Sequence, residues 1–209
     1  VPGAGMNFSP IDDEGVGMLS ERKPLLDFLG VRYVVSGYGL DTSVYPKVFE
    51  ADVSSAHIPI AIYENRDAAG LVYFAPLVRF MPGTDDDIFR AFEQSNFRAL
   101  SSPCRQPCGV HDVSFAKGSV VVVERENARM TLRTKNSGEG FLVFSENNLP
   151  GWRAFVDGNE VLRRTVNTVF IGIEVPPGEH DVLFEYSNPC SGRKAFDCLR
   201  SLAGSFVRR

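Results

Sequence analysis

The sequence predicts a mainly β fold, in which an antiparallel, jelly-roll-like β-sandwich follows a smaller α+β portion. Beyond residue 110 the apolar runs are short and regularly separated by turn residues, as is typical of sandwiches. Residues 169–175 alternate apolar side chains with Phe170, Gly172 and Glu174, the period-2 pattern of a strand with one buried face. The chain also has 13 prolines and 19 glycines, which favour many short elements over long helices.

We expect three segments: an α+β portion over 1–109, the sandwich over 110–190, and a tail over 191–209 that could form a short helix. The tail prediction rests on the spacing of Phe196, Leu199, Leu202 and Phe206. In the first segment the patterns predict two helices, one capped by Ser20 and ended by Gly30, the other over 84–94 and capped by Thr84. They predict strands over 31–36, 58–63 and 71–80. Between these elements we expect loops over 1–21 and 95–110 and an irregular stretch over 37–52.

From Val113 onward we expect seven or eight strands. Turn residues separate them, and the clearest turn is Asp157-Gly158, because glycine accepts the positive φ that a two-residue hairpin requires. The remaining turns are predicted at Lys117-Gly118, Asn136-Ser137-Gly138 and Pro176-Pro177-Gly178.

Two islands of sequence carry a family resemblance. One comprises Pro150–Ala154, Val156–Gly158, Pro176–His180 and Tyr186 with Pro189; the other is Leu25–Val35, with Leu-Gly-Val-Arg-Tyr-Val at its end. Together they resemble the C-terminal extracytoplasmic region of the YfhO family, bacterial polytopic membrane proteins similar to glycosyltransferases of the GT-C type. The family has a Pro-Arg step where this chain has Ala69-Gly70, so a role for that arginine does not carry over.

The resemblance implies a place and a role for the chain. It implies the extracytoplasmic face of a bacterial membrane, the transmembrane part of the same parent chain as a partner, and involvement in cell-envelope glycosylation, such as modification of teichoic acids. Since the catalytic loops of such proteins lie elsewhere, the resemblance implies a non-catalytic accessory domain that binds a cell-envelope glycan or has an architectural role. The start at Val1 also suggests a piece of a longer protein, although the tail is too polar to span a membrane.

Composition excludes some classes of partner. The net charge of −4 disfavours a nucleic-acid partner, which would require a basic face. No run approaches the roughly 18 apolar residues that span a bilayer. The sequence does not determine the oligomeric state.

Four cysteines fall into two local pairs, Cys104 with Cys108 and Cys190 with Cys198. Four cysteines allow three disulfide pairings, and the sequence does not choose among them. Free thiols are the alternative, whereas zinc would require other spacings and histidine partners. The inferred extracytoplasmic location favours at least one disulfide.

Trp152, the only tryptophan, is the candidate for carbohydrate binding. An indole face can stack on a sugar ring, and Arg153, Asn147 and Asn148 could donate hydrogen bonds beside it. The alternative is that Trp152 closes one end of the sandwich core. Burial of the ring against core strands would exclude the stacking role.

The remaining motifs favour structural interpretations, and we expect no metal, no cofactor and no catalytic residue. Asp85-Asp86-Asp87 fits a negatively charged first helical turn better than a cation site. His180 opens a strand and fits a structural role, and no nucleophile motif or phosphate loop is present. Two rival functions stay open: a secreted glycoside hydrolase or other β-sandwich hydrolase with two facing carboxylates, and a protein-interaction module with an exposed apolar patch.

Overall fold

The computed structural model describes residues 13–52, 59–95, 100–103, 109–188 and 190. The chain divides into an N-terminal unit, Val1–Ala69, and a C-terminal unit, Gly70–Arg209. The N-terminal unit contains α1 (Asp13–Glu21), α2 (Lys23–Phe28), β1 (Tyr33–Ser36), β2 (Lys47–Asp52) and β3 (Pro59–Glu64). The C-terminal unit contains β4 (Val72–Phe74), β5 (Leu77–Met81), α3 (Asp85–Gln94), β6 (Leu100–Pro103), β7 (His111–Ser114), β8 (Gly118–Glu126), β9 (Arg129–Asn136), β10 (Gly140–Asn147), β11 (Trp152–Val156), β12 (Asn159–Val161), β13 (Arg164–Val166), β14 (Phe170–Val175) and β15 (Gly178–Tyr186).

The N-terminal unit is an antiparallel sheet of order β1-β3-β2 with helices on one face. Its core centres on Tyr45 and Tyr63, against which Leu19 and Leu26 pack. The predictions for residues 13–21 and 47–52 were wrong. The first stretch is helical because Leu19 buries against this core, and the second pairs with β3.

The helix–strand step that the sequence predicts over residues 20–36 is present with different helix bounds. Ser20 lies within α1, and α2 instead follows Arg22, which makes no side-chain cap bond; Pro24 occupies the first turn, as expected. Gly30 follows α2 with φ +69°, the left-handed conformation that ends helices.

The C-terminal unit contains the predicted β-sandwich. One sheet has the order β13-β14-β10-β4, and the facing sheet has the order β12-β11-β15-β9-β8. Apolar side chains from both sheets fill the space between them, with Leu132, Leu142, Ile173 and Phe184 fully buried. The turn at Asp157-Gly158 forms as predicted, with φ values of +50° and +78°.

A third layer covers the outer face of the first sheet. It is a small sheet of order β6-β5-β7, in which β5 and β6 run parallel. Phe141 of β10 points into this layer, where it contacts Phe80 and Phe115. The expectation of one buried face for residues 169–175 was therefore wrong, since Phe170 is buried as well as Ile171.

The predicted strand over residues 71–80 is divided into β4 and β5. Pro76 cannot donate a backbone hydrogen bond, and around it the chain leaves the sandwich for the third layer. Because β4 pairs with β10, the sandwich includes a strand from before residue 110. The boundary between the two units falls between Ala69 and Gly70 in the sequence. Residues 111–188, all of which the structure describes, contain nine strands, β7–β15. The predicted loop over 95–110 contains β6.

The helix predicted over 84–94 forms as α3. The side chain of Thr84 accepts from the backbone N–H of Asp87, and the Asp87 carboxylate accepts from the backbone N–H of Thr84. This reciprocal pair satisfies two N–H groups at the helix start. Ile88 and Phe92 are buried, as their spacing predicts.

Gly172→Ala tests the two-sided burial of the first sheet. A Cβ at residue 172 would lie 2.5 Å from the Phe141 ring and 2.6 Å from Val166. We expect the free energy of unfolding to fall by roughly 1–3 kcal/mol, as overpacking costs. Urea unfolding followed by the fluorescence of Trp152 measures the change.

Gly109→Ala is the control for this substitution, because no atom of the residues that the structure describes lies within 4 Å of the added methyl group. Its effect should stay within about 1 kcal/mol. Equal midpoints for the two variants would show that Phe141 and Val166 yield to the methyl group.

Candidate functional site

The two halves of the main motif island meet at one point of the sandwich. Asp157 stands in the turn after β11, and His180 lies near the start of β15. The His180 Nδ1 is 2.6 Å from Asp157 Oδ2, and its Nε2 is 3.2 Å from the carbonyl oxygen of Pro177. Asp157 Oδ1 also accepts from the backbone N–H of Asp181 at 2.9 Å. The motif therefore ties the β11–β12 turn to β15.

This contact shifts the pKa of both side chains. The hydrogen bond from His180 lowers the pKa of Asp157 below its usual 3.8. The hydrogen bond to Asp157 raises the pKa of His180 above its usual 6.5. Because both ring nitrogens face oxygen acceptors, the imidazolium form can donate twice. The arrangement fits the structural role expected for His180.

Trp152 is a core residue. Only 8% of its surface is exposed, and its ring packs edge-on against Phe144 and tilted against Tyr186. Neither indole face is open to a sugar ring. The burial of Trp152 against the core strands therefore excludes the stacking role that we considered from the sequence. The small exposed part of the Trp152 side chain lines a cavity.

The polar residues grouped with Trp152 point elsewhere. Arg153 lies on the opposite face of β11, where it makes two hydrogen bonds to Glu160 at 2.7 and 3.1 Å. Asn148 donates to Thr165 at 2.8 Å and accepts from Arg163. Asn147 is exposed at the end of β10. The structure therefore does not bring Trp152, Arg153, Asn147 and Asn148 into one site.

A cavity of about 320 Å³ lies where the β8–β9 hairpin meets the end of the sandwich core. Its apolar part consists of Met130, Phe144 and Trp152, all buried. Its polar part comprises Arg125, Glu126, Asn127, Arg129 and Glu146.

Irregularities in two strands shape this cavity. The β8–β9 register shifts between Val122 and Glu124, so Arg125 stands opposite Met130, which faces the core. Without the shift, residue parity would turn Arg125 to the outer face. A second shift lies between Phe144 and Asn147, and Glu146 falls inside it. Bulges of this kind re-aim side chains and occur often beside functional sites.

The sequence reasoning missed this cavity. The one available signal was the clustering of Glu126, Asn127 and Arg129 around a turn between two predicted strands. The bulges that bring Arg125 and Glu146 to the same place depend on strand pairing, which no single strand reveals.

The remaining candidates fall partly outside the described residues. Cys190 is disulfide-bonded; Cys104, Cys108 and Cys198 lie outside the described residues, so the pairing stays open. Among the residues that the structure describes, no three His, Cys, Asp or Glu side chains are grouped to hold a metal ion. No helix in the described ranges has the length and hydrophobicity to cross a bilayer.

The N-terminal sheet has an exposed apolar outer face. Val35 and Phe49 both lie opposite Ile62 in the register, and Tyr33 extends the row. Tyr33, Val35 and Phe49 are each more than half exposed. This is the kind of patch that a protein-interaction surface presents.

Comparison with known families tests the resemblance. Residues 111–191 match the family model described as bacterial membrane protein YfhO. The sandwich region of this chain is similar to the YfhO family, which supports the resemblance seen in its motifs. The matched residues contain the Asp157–His180 contact and every lining residue named for the cavity, whereas the island at Leu25–Val35 lies outside them. No curated protein and no solved structure matches the chain.

Asp157→Asn tests the ion pair between Asp157 and His180. The substitution keeps a turn sequence that hairpins favour, Asn-Gly, and removes the charge together with one of the two acceptor oxygens. Because the pKa of His180 is raised in the folded protein, its contribution is complete below about pH 6.5 and is lost as the pH rises through the folded-state pKa. The stability advantage of the wild type over the variant should therefore be larger at about pH 5.5 than at about pH 9.

Denaturant unfolding at both pH values gives this difference, and an NMR titration of His180 gives its pKa. Asp181→Asn is the control, because the Asp181 carboxylate contacts Arg133 and not a histidine. Its effect should be the same at both pH values. An advantage of the wild type over Asp157→Asn that grows with pH would contradict the assigned coupling.

Proposed function

We propose that this chain is an extracytoplasmic, non-catalytic accessory domain of a YfhO-like membrane protein that takes part in cell-envelope glycosylation. In this role the C-terminal unit binds an envelope glycan. The observation that carries the proposal is the family match over residues 111–191, which covers the sandwich strands β8–β15. The description of that family as a bacterial membrane protein supports a membrane-associated parent chain.

The architecture is compatible with an accessory role. Several carboxylates of the sandwich pair with cations on neighbouring strands, such as Glu174 with Arg164 and Glu160 with Arg153, which supports a scaffold role. The apolar outer face of the N-terminal sheet is the surface that we propose for contact with the transmembrane part of the parent chain.

Protease accessibility tests the location. The parent protein, with an epitope tag at the end of this chain, is treated with protease in intact spheroplasts and in inverted membrane vesicles. We expect cleavage of the domain in spheroplasts and protection in inverted vesicles. The reverse pattern would place the domain in the cytoplasm and overturn the proposal.

Calorimetric titration of the purified chain with bacterial teichoic acid and with soluble peptidoglycan fragments tests glycan binding. We expect saturable binding of one of the two and no heat with a dextran control. Heats equal to those of dextran for both would overturn the glycan-binding role and leave the architectural role alone.

A glycoside hydrolase is the second candidate, and one observation favours it: Glu126 and Glu146 line the same cavity. Glycosidases use two carboxylates across one sugar linkage. Release of reducing ends from the same glycans, abolished in both Glu126→Gln and Glu146→Gln, would establish hydrolysis. Binding without release would support the accessory role.

A further inference from the structure

We infer that the cavity at the β8–β9 hairpin is the glycan site and that it binds one neutral sugar ring through Arg125, Arg129, Glu126 and Glu146. The inference rests on the proposed glycan-binding function. It assigns a position, a ligand class and a set of contacts to that function.

The charges around the cavity differ from the other charges of the sandwich. Elsewhere, cations pair with carboxylates on neighbouring strands: Arg133 with Asp181, Lys135 with Glu179, Arg153 with Glu160 and Arg164 with Glu174. In the described ranges Arg125, Glu126 and Arg129 make no such pair, although Glu126 and Arg129 stand opposite each other in the register. Glu146 accepts only from the neighbouring backbone N–H of Asn147, at 3.1 Å. These groups are therefore available to a ligand.

The balance of charge favours a neutral ligand. Two guanidinium groups and two carboxylates line the cavity, so a charged ligand would meet as many like as opposite charges and gain no net attraction. A sugar hydroxyl both donates and accepts, so it can accept from a guanidinium group and donate to a carboxylate. A neutral polyol therefore satisfies both kinds of group at once.

The size and floor of the cavity select one ring. A volume of about 320 Å³ lies at the lower end of the roughly 300–1,000 Å³ found for small-molecule sites. The floor is formed by Met130, Phe144 and the exposed remnant of Trp152, which offer C–H and ring-edge surface to the apolar face of a pyranose. In this arrangement Trp152 is the floor of the site rather than a stacking platform.

Trp152 also reports on binding directly, because it is the only tryptophan in the chain. The purified chain is titrated with glucose, galactose, mannose and N-acetylglucosamine, and with glucuronate and glucosamine as charged counterparts. We expect a saturable change in tryptophan emission with at least one neutral sugar. Its charged counterparts should bind about tenfold more weakly or not at all.

Two variants locate the site. Arg125→Gln and Glu146→Gln each remove one charge at the cavity, and we expect each to weaken neutral-sugar binding about tenfold or more, the loss typical of a hydrogen bond to a charged group. Glu160→Gln is the matched control, because Glu160 pairs with Arg153 on the outer face, and it should leave the affinity unchanged. Thermal melting checks that each variant folds, and NMR amide shifts at residues 125–130 provide a second measure of binding.

The results of these titrations distinguish the cavity as the binding site from glycan binding by the chain as a whole. The cavity assignment would be overturned if teichoic acid or peptidoglycan bound unchanged in both cavity variants, or if one of these polymers bound while no neutral sugar gave a response. Either result would leave the glycan-binding function standing. Tighter binding of glucuronate or glucosamine would overturn the ligand class. If neither polymer nor monosaccharide binds, the glycan-binding function fails together with the site.

Discussion

Burial of β10 on both faces is the constraint on which the rest of the C-terminal unit depends. Leu142 and Phe144 fill the sandwich core, while Phe141 and Val143 are equally buried on the other side. A strand of this kind needs two covering layers, because neither face tolerates water. The second sheet supplies one layer, and β5–β7 with the rings of Phe80 and Phe115 supply the other. Glycine at position 172 leaves the space that the Phe141 ring occupies.

The residues of the motif that resembles the YfhO family have structural roles, and the candidate site lies apart from most of them. Gly151, with φ +111°, shapes the turn before Trp152, and Gly158 completes the hairpin after it. Asp157 and His180 then join that hairpin to β15. These residues hold the strand on which Trp152 closes the core. The cavity forms beside that closed end, where the β8–β9 hairpin brings unpaired charges next to the buried indole. Motif and site therefore share Trp152 but use different parts of its surface.

Much of the fold could be predicted from local pattern, and much of the site could not. Capping chemistry predicted α3, and turn chemistry predicted the hairpin at Asp157. Short strands without a strong period, β2 and β6, were missed because their pairing partners stabilise them. Arg125 and Glu146 escaped prediction because a one-residue shift in pairing reverses the face to which a side chain points. The sequence left open whether Trp152 binds a sugar or closes the core, and its burial depends on the facing sheet.

The sequence by itself determined the antiparallel β architecture and the resemblance of the sandwich region to the YfhO family. Both depend on local spacing: apolar alternation, turn residues and a motif of neighbouring side chains. Only the tertiary structure decided which face of each strand is buried, which strands join the sandwich, and where unpaired charges converge. The physical reason is that these properties arise between segments distant in the chain. β4 pairs with β10 across nearly 70 residues, and the cavity collects side chains from β8, β9, β10 and β11. Their geometry exists only once the register and bulges of all these strands are set.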